Sequence, residues 1–191
     1  MINIKLKPFL ETARVWSKQS SCCRVHVGAV IFNIETKRLL SIGYNGTMPG
    51  QVHCDILFQP RESDYLIHSN IKKYLSGVYT ESITEEGWNS VEIEEAKIIH
   101  HKFSELYEVH AEQNAIYNLI KTGASYDVNN LAIITTVEPC EQCAKAIAAL
   151  GIKHVFYNKE YDRNVISIPS YFSKLDIICR QVDDDREDIQ S

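Results

Sequence analysis

Two short runs, His110-Ala111-Glu112 and Pro139-Cys140-Glu141-Gln142-Cys143, constrain this fold most, because their side chains make chemical sense together only if two helix starts meet at one point. One imidazole and two thiolates fill three corners of a tetrahedral zinc site and leave the fourth to water, the arrangement that separates catalytic from closed structural zinc. Such a metal lowers the pKa of its water to about 7. Glu112 is not needed as a ligand and is free to move protons. Residues at i and i+2 lie about 200° apart on a helix, so His110 and Glu112 can share a site only at a helix mouth. The run Ala111 to Ile120 reads as that helix. Pro139 is predicted in the first turn of a second helix, where its missing N–H costs nothing, with Cys140 and Cys143 on one face. Both N-termini would favour thiolate and stabilise charge developing on the attacking oxygen. A purely structural zinc site is the competing reading; the preceding His-Ala-Glu and the strand-like stretch between the runs weigh against it.

At 191 residues, with 45% hydrophobic and 24% charged side chains, the chain is expected to form one compact domain over residues 1–182, carrying an insertion at about 56–107. Residues 183–191 read as an acidic tail. No apolar run approaches a membrane span, and the alternating start, Met1 to Lys7, is not a signal peptide. A cytoplasmic location is expected, with the six cysteines as thiols and metal ligands. The net charge of −5, without a long Lys/Arg cluster, argues against a nucleic-acid partner and for a small nucleotide. Scattered cations such as Arg24, Lys121, Lys145 and Arg163 could meet a single phosphate.

Periodicity predicts a helix over Pro8 to Lys18 with Phe9, Ala13 and Trp16 on one face, then strands Val25 to Phe32 and Arg38 to Tyr44 joined as a hairpin around Asn33 to Lys37. After the insertion come the His110 helix, strand Leu131 to Val137, the Cys140 helix, strand Lys153 to Asn158, a helix near Ser170 to Leu175 and a strand near Asp176 to Val182. The expectation is a three-layer α/β/α domain around a five-stranded mixed sheet, mainly parallel, with the hairpin as its antiparallel member.

The chain resembles the phage-type deoxycytidylate (dCMP) deaminases of the cytidine deaminase superfamily. The resemblance is carried by Cys22-Cys23, Val27-Gly28-Ala29-Val30, Gly43-Tyr44-Asn45-Gly46, Cys54-Asp55, His110 to Ile116, Pro139-Cys140 with Cys143 to Ile147, Gly151-Ile152-Lys153 and Tyr161-Asp162. It implies a cytidine-deaminase-like fold and hydrolysis of dCMP to dUMP and ammonia, the precursor supply for thymidylate. His110, Cys140 and Cys143 would hold catalytic zinc, and Glu112 would shuttle protons. The Ala111 N–H, Asn45 and Tyr161 would contact substrate. A second, structural zinc would use Cys22, Cys54, His100 and Glu108, with His101, His53 and Cys23 as neighbouring alternatives.

The resemblance further implies a homohexamer activated by dCTP with Mg²⁺ and inhibited by dTTP, an effector site in the loop Gly43 to Asp55, Lys121 in place of an interface arginine, and the host cytoplasm for a phage-encoded protein. Met48-Pro49-Gly50, the lone Cys54-Asp55 and Glu138 before Pro139 depart from the phage pattern. The Glu-Pro-Cys form also occurs in tRNA adenosine and guanine deaminases. Zinc deamination of tRNA adenosine, cytidine, dCTP or 5-modified dCMP, and a zinc-stabilised non-catalytic binding module, remain as alternatives.

Overall fold

The computed structural model describes residues 3–75, 81–123, 125–183 and 188–190. In chain order the elements are β1 (Asn3–Lys5), α1 (Lys7–Ser17), β2 (Gly28–Asn33), β3 (Leu39–Tyr44), β4 (Gly46–Thr47), α2 (Cys54–Leu57), β5 (Phe58–Pro60), β6 (Tyr65–His68), α3 (Ile71–Tyr74) and β7 (Trp88–Val91). There follow α4 (Ile93–Tyr107), β8 (Glu108–Val109), α5 (Ala111–Lys121), β9 (Leu131–Val137), α6 (Glu141–Leu150), β10 (His154–Lys159), α7 (Ile168–Ser173), β11 (Ile178–Gln181) and β12 (Asp188–Gln190). Contacts divide the chain into two compact units, one of residues 1–20, 27–45 and 110–191, the other of residues 21–26 and 46–109.

The first unit is built on a five-stranded sheet in the order β11-β10-β9-β2-β3. Strand alternation divides its side chains cleanly. Ala29, Ile31, Leu131, Ile133 and Val155 point to one face, where Ala115 and Leu119 of α5, Ile147 of α6 and Phe172 of α7 cover them. Val30, Phe32, Ala132, Ile134 and Phe156 point to the other, under Leu10 and Ala13 of α1. The three layers and the mixed sheet are as expected. The sheet is not mainly parallel, however: β9–β10 and β10–β11 are parallel, while β2–β3 and β2–β9 are antiparallel. The hairpin joins the sheet through β2, which runs against β9, so one pair more is antiparallel than the hairpin alone supplies.

The hairpin turn falls at Asn33 to Lys37, where the Asn33 carboxamide accepts from the Glu35 and Thr36 N–H groups at 3.0 and 2.8 Å. The α1 face differs from expectation. Leu10 and Ala13 are its buried residues, whereas Trp16 is partly exposed and stacks on Tyr44 of β3, the rings 6.2 Å apart. Strand β3 ends the sheet, and α5 reaches it with two carboxamides: Asn114 donates to the Tyr44 carbonyl at 2.8 Å and Asn118 to the Ile42 carbonyl at 3.0 Å. Helix and strand can approach this closely because of Gly43. A Cβ there would lie 2.2 Å from the Ala111 carbonyl oxygen and 2.4 Å from the Ala115 nitrogen. Of the acidic end, residues 184–187 and 191 lie outside the described residues, and Asp188–Gln190 pairs antiparallel with Asn3–Lys5.

The second unit has its own core of Leu57, Phe58, Tyr65, Ile67, Ile71, Leu75, Ile83, Val91, Ala96, Ile99 and Phe103. Its main sheet is antiparallel, β5-β6-β7, and a further short ladder pairs β4 with β8. Helix α4 opens on Glu92, whose carboxylate accepts from the Glu94 and Glu95 N–H groups. Among the described residues no helix is long and apolar enough to cross a membrane.

Candidate active site

His110 and Cys140 occupy equivalent positions, each the N-cap of its helix and each in extended conformation (φ −70°, ψ 157° and φ −70°, ψ 167°). An N-cap side chain projects past the first turn, toward the N–H groups that have no intrahelical acceptor. This lets His110 converge with Glu112 on α5, and Cys140 with Cys143 on α6. Pro139 therefore lies just outside α6, not in its first turn as predicted. A proline already holds the residue before it extended, and the helix begins only once Cys140 has turned the chain. Gln113 fixes the other mouth by accepting from the His110 N–H at 3.3 Å.

The Cys140 and Cys143 sulfurs lie 3.4 and 3.3 Å from His110 Nδ1. A tetrahedral zinc with sulfur and nitrogen ligands at their usual distances separates such donors by about 3.6 Å, so these three residues fit the ion. Glu112 is buried, 4% exposed, and belongs to no donor cluster. Burial pushes its carboxyl up to about 7, against the opposing pull of His110 and its own backbone N–H. Hydrogen bonding from Cys143 lowers the Cys140 thiol to about 4 despite partial burial, with His110 and the Cys143 N–H adding to the effect. The bond to Cys140, then burial, push Cys143 well above the usual thiol range.

Other residues named from the sequence are placed as follows. Ala111 is buried as the first residue of α5. Asn45 is buried, and its side-chain oxygen accepts from the Val27 N–H at 2.7 Å. Tyr161 is half-buried, and burial raises its phenol pKa, partly offset by Arg163. The loop Gly43 to Asp55 is divided between the units after Asn45. Sequence reasoning missed the fastenings around the thiols. Asn164 donates to the Glu138 carboxylate at 3.0 Å and the Pro139 carbonyl at 3.2 Å, while Glu141 accepts from the Val165 and Ile166 N–H groups at 3.0 and 3.3 Å.

In the second unit, Cys22, Cys54, His100 and Glu108 offer donor atoms that all lie within 4.8 Å of one another. Cys54 Sγ is 3.2 Å and Cys22 Sγ 3.9 Å from His100 Nε2. Glu108 binds Ser104 through one oxygen at 2.7 Å, but its other oxygen is buried with no hydrogen-bond partner. Such an orphan acceptor beside two thiols and an imidazole fits a cation. Hydrogen bonding from Cys54 and burial both raise the Cys22 thiol. At Cys54 the bond to Cys22 lowers the pKa, and Cys23 with burial raises it by more. Of the alternatives, His53 and His101 are exposed, whereas Cys23 Sγ lies 3.5 Å from Cys54 Sγ.

Three nitrogen and sulfur donors at paired helix mouths, with a buried carboxylate beside them, make a site suited to hydrolysis at an open zinc. The profile described as "Cytidine and deoxycytidylate deaminase zinc-binding region" matches residues 4–159, and the chain belongs to that family. Its relatives include the deoxycytidylate deaminases of Enterobacteria phages T4 and T2, each 33% identical over 162 residues, which are 84% of this chain and 81% and 83% of theirs. Among solved structures, the dCMP deaminase of cyanophage S-TIM5 in complex with dCMP and dUMP matches with a TM-score of 0.58 at 22% identity, covering 92% of this chain and 95% of that one. At that identity the likeness shows the fold, which is of the cytidine deaminase type.

Proposed function

We propose that this chain hydrolyses dCMP to dUMP and ammonia, with zinc held by His110, Cys140 and Cys143 and protons carried by Glu112. The carrying observation is Glu112 itself, buried beside the three donors yet outside their cluster. A bound zinc supplies Lewis acidity that makes hydroxide available from water at neutral pH. Glu112 accepts the proton of the attacking water and delivers it to N3 of cytosine, which makes C4 more electrophilic. It then takes the second proton of that water from the new C4 hydroxyl and passes it to the amino group, so that the C4–N bond breaks, ammonia leaves and the C4 carbonyl of uracil forms. The Ala111 N–H, free of an intrahelical acceptor at its position, donates to the pyrimidine O2. Asn45 and Tyr161 hold the nucleoside.

The cluster of Cys22, Cys54, His100 and Glu108 holds a second, structural zinc; the orphan Glu108 oxygen supports this. The reading extends, on the family resemblance alone, to a homohexamer acting in the host cytoplasm, activated by dCTP with Mg²⁺ and inhibited by dTTP, with the effector at Gly43 to Asp55. The test is ammonia release from dCMP, CMP, dCTP, deoxycytidine and 5-substituted dCMP. The highest kcat/KM is expected for dCMP, and a clear preference for another member of the panel replaces this substrate assignment.

A further inference from the structure

We propose that Glu138 and Asn164 are a positioning pair that fixes the Tyr161 to Ile166 segment against the Cys140 loop, and so sets Tyr161 in place beside the nucleotide. This rests on the dCMP deaminase reading above. Strands β9 and β10 are parallel neighbours that end together, with Val137 opposite Lys159, and the last backbone bond runs from the Glu138 N–H to the Lys159 carbonyl at 2.7 Å. From there the two chains diverge. One goes to the metal-binding thiols and the other to Tyr161, so the ladder can no longer hold them together.

Side chains take over at that point. The Asn164 amide nitrogen bridges the Glu138 carboxylate and the Pro139 carbonyl, while Glu141 gathers the Val165 and Ile166 N–H groups. Asn164 is itself set by a turn, its N–H donating to the Tyr161 carbonyl at 3.3 Å. Apolar packing does not do this work, since Val165 is 91% and Ile166 47% exposed. The Asn164 bonds are partly shielded from water and those of Glu141 are exposed, so the Glu138–Asn164 pair is the stronger tether. What it tethers includes Tyr161, which is half-buried and opens the turn that Asn164 closes. Glu138 belongs to neither donor cluster.

The experiment compares Glu138→Ala, Asn164→Ala, their double variant and Glu138→Gln for kcat, KM for dCMP, zinc content and amide exchange of the Tyr161 to Ile166 peptide. Loss of one partly buried, charge-assisted bond should raise KM about tenfold while kcat stays within about twofold. Zinc should remain bound, and exchange at Val165 and Ile166 should quicken. The double variant should be no worse than either single one. Glu138→Gln, which keeps an acceptor oxygen, should restore KM and slow exchange. Unchanged exchange in the alanine variants overturns the pairing whatever their activity. Zinc loss with parallel falls in kcat and kcat/KM also overturns it, by making Glu138 a support of the metal loop. Failure of the unaltered protein to deaminate dCMP refutes the substrate reading, and exchange still decides whether the tether exists.

Discussion

Among the described residues Glu112 is the one acidic residue buried as a whole, and burial outweighs the pull of His110 and of its own backbone N–H on its carboxyl. A carboxylate kept from water in this way is costly to ionise, which brings it close to the protonation balance that a proton carrier needs at neutral pH. Glu112→Gln is expected to lower kcat by about 10²–10⁴-fold while zinc stays bound, since it removes proton transfer without removing a ligand. Cys140→Ser and Cys143→Ser should instead lose both zinc and activity; metal analysis beside ammonia release separates the two outcomes. These three residues and His110 were legible in the chain because their local spacing already fixes which side chains can meet at a helix start. Asn164 and Glu138 were not. They stand 26 residues apart with no periodic relation, and only the common end of two parallel strands makes them neighbours.

Helix α5 carries the site because it can sit directly on β3, and Gly43 is what permits that. Gly43→Ala would drive a methyl group into the Ala111 carbonyl and the Ala115 nitrogen, with a cost of about 1–3 kcal/mol and displacement of the His110 end of the helix. Denaturant midpoint and kcat should fall together; an unperturbed midpoint would show that helix and strand are less closely apposed. In the other unit, α4 brings His100 to Cys54 and ends beside Glu108. Carefully prepared protein should hold two zinc ions per chain. Cys54→Ala should reduce this to one and lower Tm, because the free energy of binding a structural metal is also folding free energy. A variant with two zincs and an unchanged Tm would remove the site. The long strands and helices of the first unit were readable from periodicity. Those of the insertion were not, since strands such as Phe58–Pro60 and Tyr65–His68 are too short to show an alternation.

For the molecule as a whole, regulation is a question of whether assemblies differ in their affinity for a nucleotide. An effector shifts such an equilibrium only through unequal binding, and a coupling of about 1–3 kcal/mol corresponds to roughly 5–150-fold. Sigmoidal dependence on dCMP that dCTP removes and dTTP deepens is therefore expected in initial-rate measurements, with the assembly state read by sedimentation. Hyperbolic rates indifferent to both triphosphates would leave the chemistry without the control. The two carboxamides on β3 bear on something else, the protein's behaviour in concentrated solution. A terminal strand with bare carbonyls is a template on which a second chain can add a strand and begin to aggregate. Here Asn114 and Asn118 occupy two of those acceptors from within the same molecule, so this rim of the sheet is poorly suited to growth, guarded by two side chains of the same helix that carries Glu112.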